Sequence, residues 1–390
     1  MADRRPTGPT GSPAPLARAV LLVLAALVAV LAGCSDGSGS GAGDPGRGAA
    51  TTTVAPATTT TARDPLPPST VAAPDGATAT QPDQPSEGFG SSAVAHHDWT
   101  VSEGGSGADA WYVFEPASPT PAEAALAIVL HGYYEFEGYD TMAELIRHTV
   151  QTGSIVVYPR WQTGITEPCP GPFDVEPCVD SALAGIRGAI EHLTGGGDRV
   201  RPDLDRTSYY GFSFGGVLTA NLTNRWQELD LPRPRAIFLD DLHDGGLDGP
   251  GEPALDDSMA GIPDDVLLEC HVGADGVIAE DPSGGCNALF PKLDHIPEAN
   301  KAIVATVTDR HGEPALGSGH GVCAARPGGA DAYDWGFCWK VWDALRAAVD
   351  TGTPPTAAIG DDPAHTDNGT WSDGTPIAPL IVQHEAPIRP

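Results

Sequence analysis

The chain has 390 residues, 41% of them hydrophobic, which is enough for one sizeable core and too few for membrane-wide packing. Fifty-two acidic against twenty-one basic side chains leave a formal charge of -31, which repels phosphate backbones and anionic lipid surfaces and so argues against a nucleic-acid partner. The 48 Gly and 38 Pro would signal disorder if spread evenly, so their placement decides how many domains the chain holds.

Arg4, Arg5 and Arg18 precede an unbroken apolar run from Ala19 to Ala32, short for a bilayer span and suited to the central region of an export signal over residues 1–33. The run ends in Leu31-Ala32-Gly33-Cys34, which resembles the bacterial lipobox. That resemblance implies lipidation of Cys34 and a mature protein anchored to the outer face of the bacterial cell membrane, with the lipid as its only membrane contact. From Ser35 to Gly88 the composition is Gly/Ser and then Thr/Pro/Ala, with almost nothing to bury, so residues 34–88 read as a disordered tether with a reach of roughly 40 Å. Six cysteines follow: Cys169, Cys178, Cys270, Cys286, Cys323 and Cys338. An even count in an exported chain favours disulfides, and the spacing groups them into three local couples, Cys169–Cys178, Cys270–Cys286 and Cys323–Cys338.

After Gly88 apolar runs alternate with amphipathic segments, the pattern of a mainly parallel sheet with covering helices, expected over 89–390 with a C-terminal extension from about 351. Ala93–Val101 and Ala110–Phe114 read as initial strands, and Ala124–Leu130 as a central buried one. Asp140–Val150 has helical periodicity and Ile155–Tyr158 is the next strand. Val179–Leu193 is then a helix with Leu183, Ile186, Ala189, Ile190 and Leu193 on one face. Thr207–Tyr210, Ala236–Leu239, Val266–Cys270 and Ile303–Val307 supply the later strands, and Trp335–Val349 a last helix packing Trp339, Trp342 and Leu345.

Gly211-Phe212-Ser213-Phe214-Gly215-Gly216 lies between a strand and a helix. A sharp strand-to-helix turn strains its central residue and needs neighbours without side chains, because the helix passes close by. Ser213 would stand at the apex, facing the positive end of the helix that starts at Phe214. His131-Gly132-Tyr133 follows the third strand, from which a second oxyanion donor is drawn, so the backbone N–H groups of Tyr133 and Phe214 form the expected pair. Tyr133, Tyr134, Phe136, Trp161, Phe212 and Phe214 cluster around these motifs, either as an apolar substrate pocket or as ordinary core.

On these motifs, with Ile128-Val129-Leu130-His131-Gly132 and Val272-Gly273-Ala274-Asp275, the chain from about Asp98 to Leu380 resembles the α/β-hydrolase superfamily. Within it the motifs are similar to a branch of chlorophyllase-like, dienelactone-hydrolase-like and cutinase-like enzymes, though Phe212 stands where that branch often has His. The resemblance implies an α/β-hydrolase fold with helices on both faces of the sheet and no large cap domain. It also implies a Ser, acid, His order, with Ser213 as nucleophile, Asp275 as acid and His320 as base. Asp240, Asp241 and Asp244 follow an earlier strand, where some relatives place the acid, and Asp309 and His311 are nearer rivals to His320. No cofactor and no metal spacing is implied. The expectation is a serine esterase acting on a small-molecule or polymeric ester, against a catalytically silent relative that binds an envelope component.

Overall fold

The computed structural model describes residues 78–133, 135–164, 167–169, 175–243 and 254–390. The expected export signal, Cys34, the expected tether up to residue 77, Tyr134 and Asp244 lie outside the described residues. Among the described residues, nine strands form a single sheet in the order β1-β2-β4-β3-β5-β6-β7-β8-β9. In chain order these are β1 (Asp98–Gly104), β2 (Trp111–Ala117), β3 (Glu123–Leu130), α1 (Ala143–Gln151), β4 (Ser154–Pro159), α2 (Glu176–Thr194), β5 (Arg201–Phe212), α3 (Phe214–Asn224) and β6 (Pro234–Asp240). There follow β7 (Leu267–Gly273), α4 (Val277–Glu280), α5 (Cys286–Leu289), β8 (Lys301–Thr306), α6 (Trp339–Thr351), α7 (Pro363–Thr366) and β9 (Ile381–Gln383). From β4 through β3 to β8 all pairings are parallel, and antiparallel strands close both edges. This is the α/β-hydrolase architecture anticipated from the motifs.

The parallel strands are apolar on both faces because helices cover both. On β3, Leu126, Ile128 and Leu130 pack with Val179, Ala182 and Ile186 of α2 and Val217 and Leu218 of α3. Ala127 and Val129, between them in sequence, face the opposite layer with Leu145 and Ile146 of α1 and Trp339, Trp342 and Leu345 of α6. Period two along the strand and about 3.6 along the helices therefore build two cores on one sheet. Helix α2 starts with Pro177 in its first turn and α6 stops at Gly352 in the left-handed region, each where the backbone tolerates that residue.

Several boundaries differ from expectation, and both ends of the described chain dock on the domain. The first strand begins at Asp98, not Ala93, because Ala95 and His96 donate their N–H groups to the Gln151 carbonyl at the end of α1. The docked chain starts before Gly88: Ala79 is buried with Trp371 and Leu316, its carbonyl accepts from Glu313 N, and Thr80 N bonds Ser372 Oγ at 2.9 Å. The extension after 351 packs on the domain, adding β9 beside β8 and burying Trp371, Ile377 and Ile388. Its His365 ion-pairs with Glu269 of β7 at 2.8 Å, both side chains fully buried. All three cysteine couples are disulfides, with Cα–Cα separations of 5.5, 5.8 and 5.5 Å.

Candidate active site

Strand β5 ends at Phe212 and α3 begins at Phe214, so Ser213 must reverse the chain alone, and it does so at φ 55°, ψ −126°. Only missing side chains make room for this. A Cβ on Gly215 would meet the His131 carbonyl oxygen at 2.2 Å, and one on Gly211 would meet Thr219 Oγ1 at 2.4 Å. The Ser213 N–H donates to the Asp240 carbonyl at 2.9 Å, tying the turn to β6. Phe214 N lies in the first turn of α3, where no preceding helical carbonyl exists to receive it.

His320 Nε2 lies 2.8 Å from Ser213 Oγ, and His320 Nδ1 lies 2.6 Å from Asp241 Oδ2. Ser213 and His320 thus meet, and the carboxylate that His320 Nδ1 meets is that of Asp241, a weighed alternative, and not that of Asp275. The reason lies in the backbone after β7. Asp241 Oδ1 accepts from Gly273 N at 3.2 Å and Oδ2 from Val277 N at 3.3 Å. A Cβ on Gly276 would fall 2.3 Å from Asp241 Oδ2, so that glycine leaves the space the carboxylate fills. Asp275 instead turns to Thr308, whose hydroxyl donates to Asp275 Oδ2 at 2.5 Å. Asp309 and His311 hold the C-terminal extension, accepting from Trp371 Nε1 and facing Asp373 respectively.

Burial works against a charge on His320, but the Asp241 hydrogen bond and charge, with Asp240 and Glu135 nearby, outweigh it and raise its proton affinity above the ordinary imidazole value. Glu135 escaped the sequence reading. Its Oε2 accepts from Gly132 N at 3.0 Å, and burial raises its carboxyl above the ordinary range. An acid two residues after the proposed Tyr133 donor was the available signal. Gly132 approaches Ser213 closely, since a Cβ there would lie 3.2 Å from Ser213 Cβ. That places the His131-Gly132-Tyr133 segment beside Ser213. His131 is structural: its ring faces the Gly132 and Arg160 carbonyls, stacks on Trp161 at 4.7 Å, and burial pushes its pKa down to about 4.

Of the clustered aromatics, Trp161 and Phe214 are core. Phe212 packs its ring 4.9 Å from that of His320, and a Cβ on Gly132 would lie 2.9 Å from it. Among the described residues, five non-glycine residues have positive φ, and Ser213 and Asp241 of the site are two of them, backbone strain of the kind expected at a working centre.

Two solved structures are similar in part. A mutant of the esterase rPPE is 21% identical, with TM-score 0.31, covering 40% of this chain and 47% of that chain, so this chain spans about half of its length. One of two fungal esterases from Rhizomucor miehei is 12% identical, with TM-score 0.42, covering 66% of this chain and 84% of that chain. No protein-family model and no curated protein matches the sequence.

Proposed function

We propose that the protein is a serine hydrolase that cleaves carboxylic esters, held to the outer face of a bacterial membrane by a lipid on Cys34. The observation that carries the catalytic reading is the unbroken row Ser213 Oγ, His320 Nε2, His320 Nδ1, Asp241 Oδ2 at 2.8 and 2.6 Å. A serine hydroxyl is a weak nucleophile until a neutral imidazole accepts its proton, and a carboxylate on the other nitrogen fixes the tautomer and stabilises the imidazolium. In the first half-reaction Ser213 Oγ bonds to the ester carbonyl carbon while its proton passes to His320 Nε2. The oxyanion is held by the Phe214 and Tyr133 N–H groups, and collapse expels the alcohol with the proton from His320. Water, deprotonated by His320, then releases the acid and restores Ser213.

The three disulfides support an oxidising compartment, and the lipobox resemblance supports the anchor. The motif resemblance to chlorophyllase-like, dienelactone-hydrolase-like and cutinase-like enzymes supports an ester over a peptide. The test is hydrolysis of a p-nitrophenyl ester series of rising chain length by the purified protein. Turnover lost in Ser213→Ala is expected, and turnover unchanged in that variant, or absent from the folded wild type, refutes the proposal.

A further inference from the structure

Two consecutive carboxylates leave the end of β6 and each meets a histidine: Asp241 meets His320, and Asp240 meets His271 of β7, with Asp240 Oδ1 2.8 Å from His271 Nδ1. The second pair is fully buried and takes no part in the chemistry described above. A buried ion or dipole pair adds little stability over well-packed apolar residues; what it adds is direction. Its connections run to Ser213, to Asp241 and to the segment that carries His320. The Asp240 carbonyl accepts the Ser213 N–H at 2.9 Å, and the His271 carbonyl accepts the Asp241 N–H at 2.9 Å. His271 Nε2 faces Thr306 Oγ1 at 2.9 Å, and Thr306 Oγ1 faces Ser318 Oγ at 2.7 Å, two residues before His320. Ser318 Oγ also lies 2.8 Å from the Thr306 carbonyl oxygen and accepts from Ala274 N at 2.9 Å. Asp240 Oδ2 accepts from the Tyr210 hydroxyl, whose proton is retained because burial, and then Asp240 itself, raise its pKa.

Building on the hydrolase reading, we propose that the buried Asp240–His271 pair is a positioning unit that keeps Ser213, Asp241 and the His320 loop in register through the hydroxyl row Thr306–Ser318. The row is complete whichever way its protons point. With His271 neutral, Thr306 donates to Nε2 and Ser318 donates to Thr306, leaving the Thr306 carbonyl to the Ala274 N–H at 3.1 Å; with His271 protonated, Nε2–H donates to Thr306, Thr306 to Ser318, and Ser318 to the Thr306 carbonyl. Hydroxyl rotation thus keeps the loop fixed in either state. Cys323 Sγ also lies within 4.8 Å of the Asp240 and His271 ligand atoms, but its bond to Cys338 withdraws it from metal binding. The groups facing His271 are Asp240, Thr306 and the Phe337 ring, and those facing His320 are Ser213, Asp241, Asp240, Glu135 and the Phe212 ring.

The test replaces Thr306 by Val, which keeps the shape and removes the hydroxyl, and by Ser, which keeps the hydroxyl. The His320 imidazole is titrated by NMR, assigned with His320→Gln, and p-nitrophenyl butyrate turnover is followed in parallel. In Thr306→Val the His320 midpoint moves to lower pH, because a loosened loop weakens the Asp241 contact, and kcat falls about tenfold to a hundredfold with KM little changed. Thr306→Ser keeps the wild-type midpoint and rate. A wild-type midpoint in Thr306→Val, or an equal shift in Thr306→Ser, overturns the proposal. Should Thr306→Val not fold, Ser318→Ala cuts the row at its next member and is judged by the same midpoint. Wild-type protein that lacks ester turnover refutes the hydrolase reading, while the His320 midpoint still decides the positioning claim.

Discussion

Asp241 and Asp275 pose the sharpest question at the level of single residues. Ser213 and His320 were legible in the sequence because each sits in a glycine-rich frame, Gly211 to Gly216 and Gly317 to Gly321, in the order the motif resemblance implies. The acid was not legible. Both candidates follow a strand, and the choice depends on which carboxylate the backbone after β7 admits; Gly276 decides that, at a distance no sequence pattern encodes. Asp241→Asn is expected to lower kcat by about 10⁴-fold, since the imidazole loses its tautomer and its counter-charge. Asp275→Asn, which disturbs only the bond from Thr308, should lower it by no more than about tenfold. Steady-state kinetics of the two variants checks the assignment, and the reverse order of effects would restore Asp275. The pH profile carries a second prediction. On the proposed mechanism His320 acts as a base only when neutral, and its affinity for a proton is raised, so kcat/KM is expected to fall as pH drops through a value above the ordinary 6.5. Glu135→Gln removes one of the negative charges that raise it, so the acid limb should move to lower pH, measured as the profile midpoint.

The strand-turn-helix unit β5-Ser213-α3 shows what an element contributes. Its strand and helix were readable from the short β-prone run Thr207–Tyr210 and the glycines after Ser213, although β5 begins earlier, at Arg201. Strand β9 was not, because Ile381–Gln383 spans only three residues and acquires its form from pairing with β8. Nor was the docking of Ala79, whose burial depends on Trp371 far along the chain. The close approach of α3 to the loop after β3 has a cost if it is disturbed. Gly215→Ala would drive a Cβ to 2.2 Å from the His131 carbonyl oxygen, backbone against backbone, with no flexible side chain to yield. A loss of about 1–3 kcal/mol or more in unfolding free energy is expected, read from urea denaturation, together with loss of ester turnover as Ser213 shifts. A stable Gly215→Ala protein with full turnover would contradict the packing described.

Across the whole molecule, the two cores on one sheet account for the fold, and the C-terminal extension completes it. His365 is held against Glu269 of β7 in full burial. Burial opposes its charge, but the Glu269 charge and hydrogen bond prevail, so its folded pKa is raised above 6.5. A raised folded value means the contribution of this pair is fully present below about pH 6.5 and is lost as pH climbs through the elevated value. Thermal midpoints of the wild type should therefore decline over that alkaline span more steeply than those of Glu269→Gln, which lacks the charge; parallel curves would argue against the clasp. The charge of -31 belongs to the same scale: it was legible from composition alone and fixes what the surface repels, whereas the identity of the bound substrate depends on cleft shape, which composition does not carry. The most direct test of the central claim is covalent. Folded wild-type protein treated with a fluorophosphonate and analysed by peptide mass mapping should carry one adduct, on Ser213, that disappears in Ser213→Ala and is strongly reduced in His320→Ala; an unlabelled wild type, or an adduct on another residue, would contradict the account.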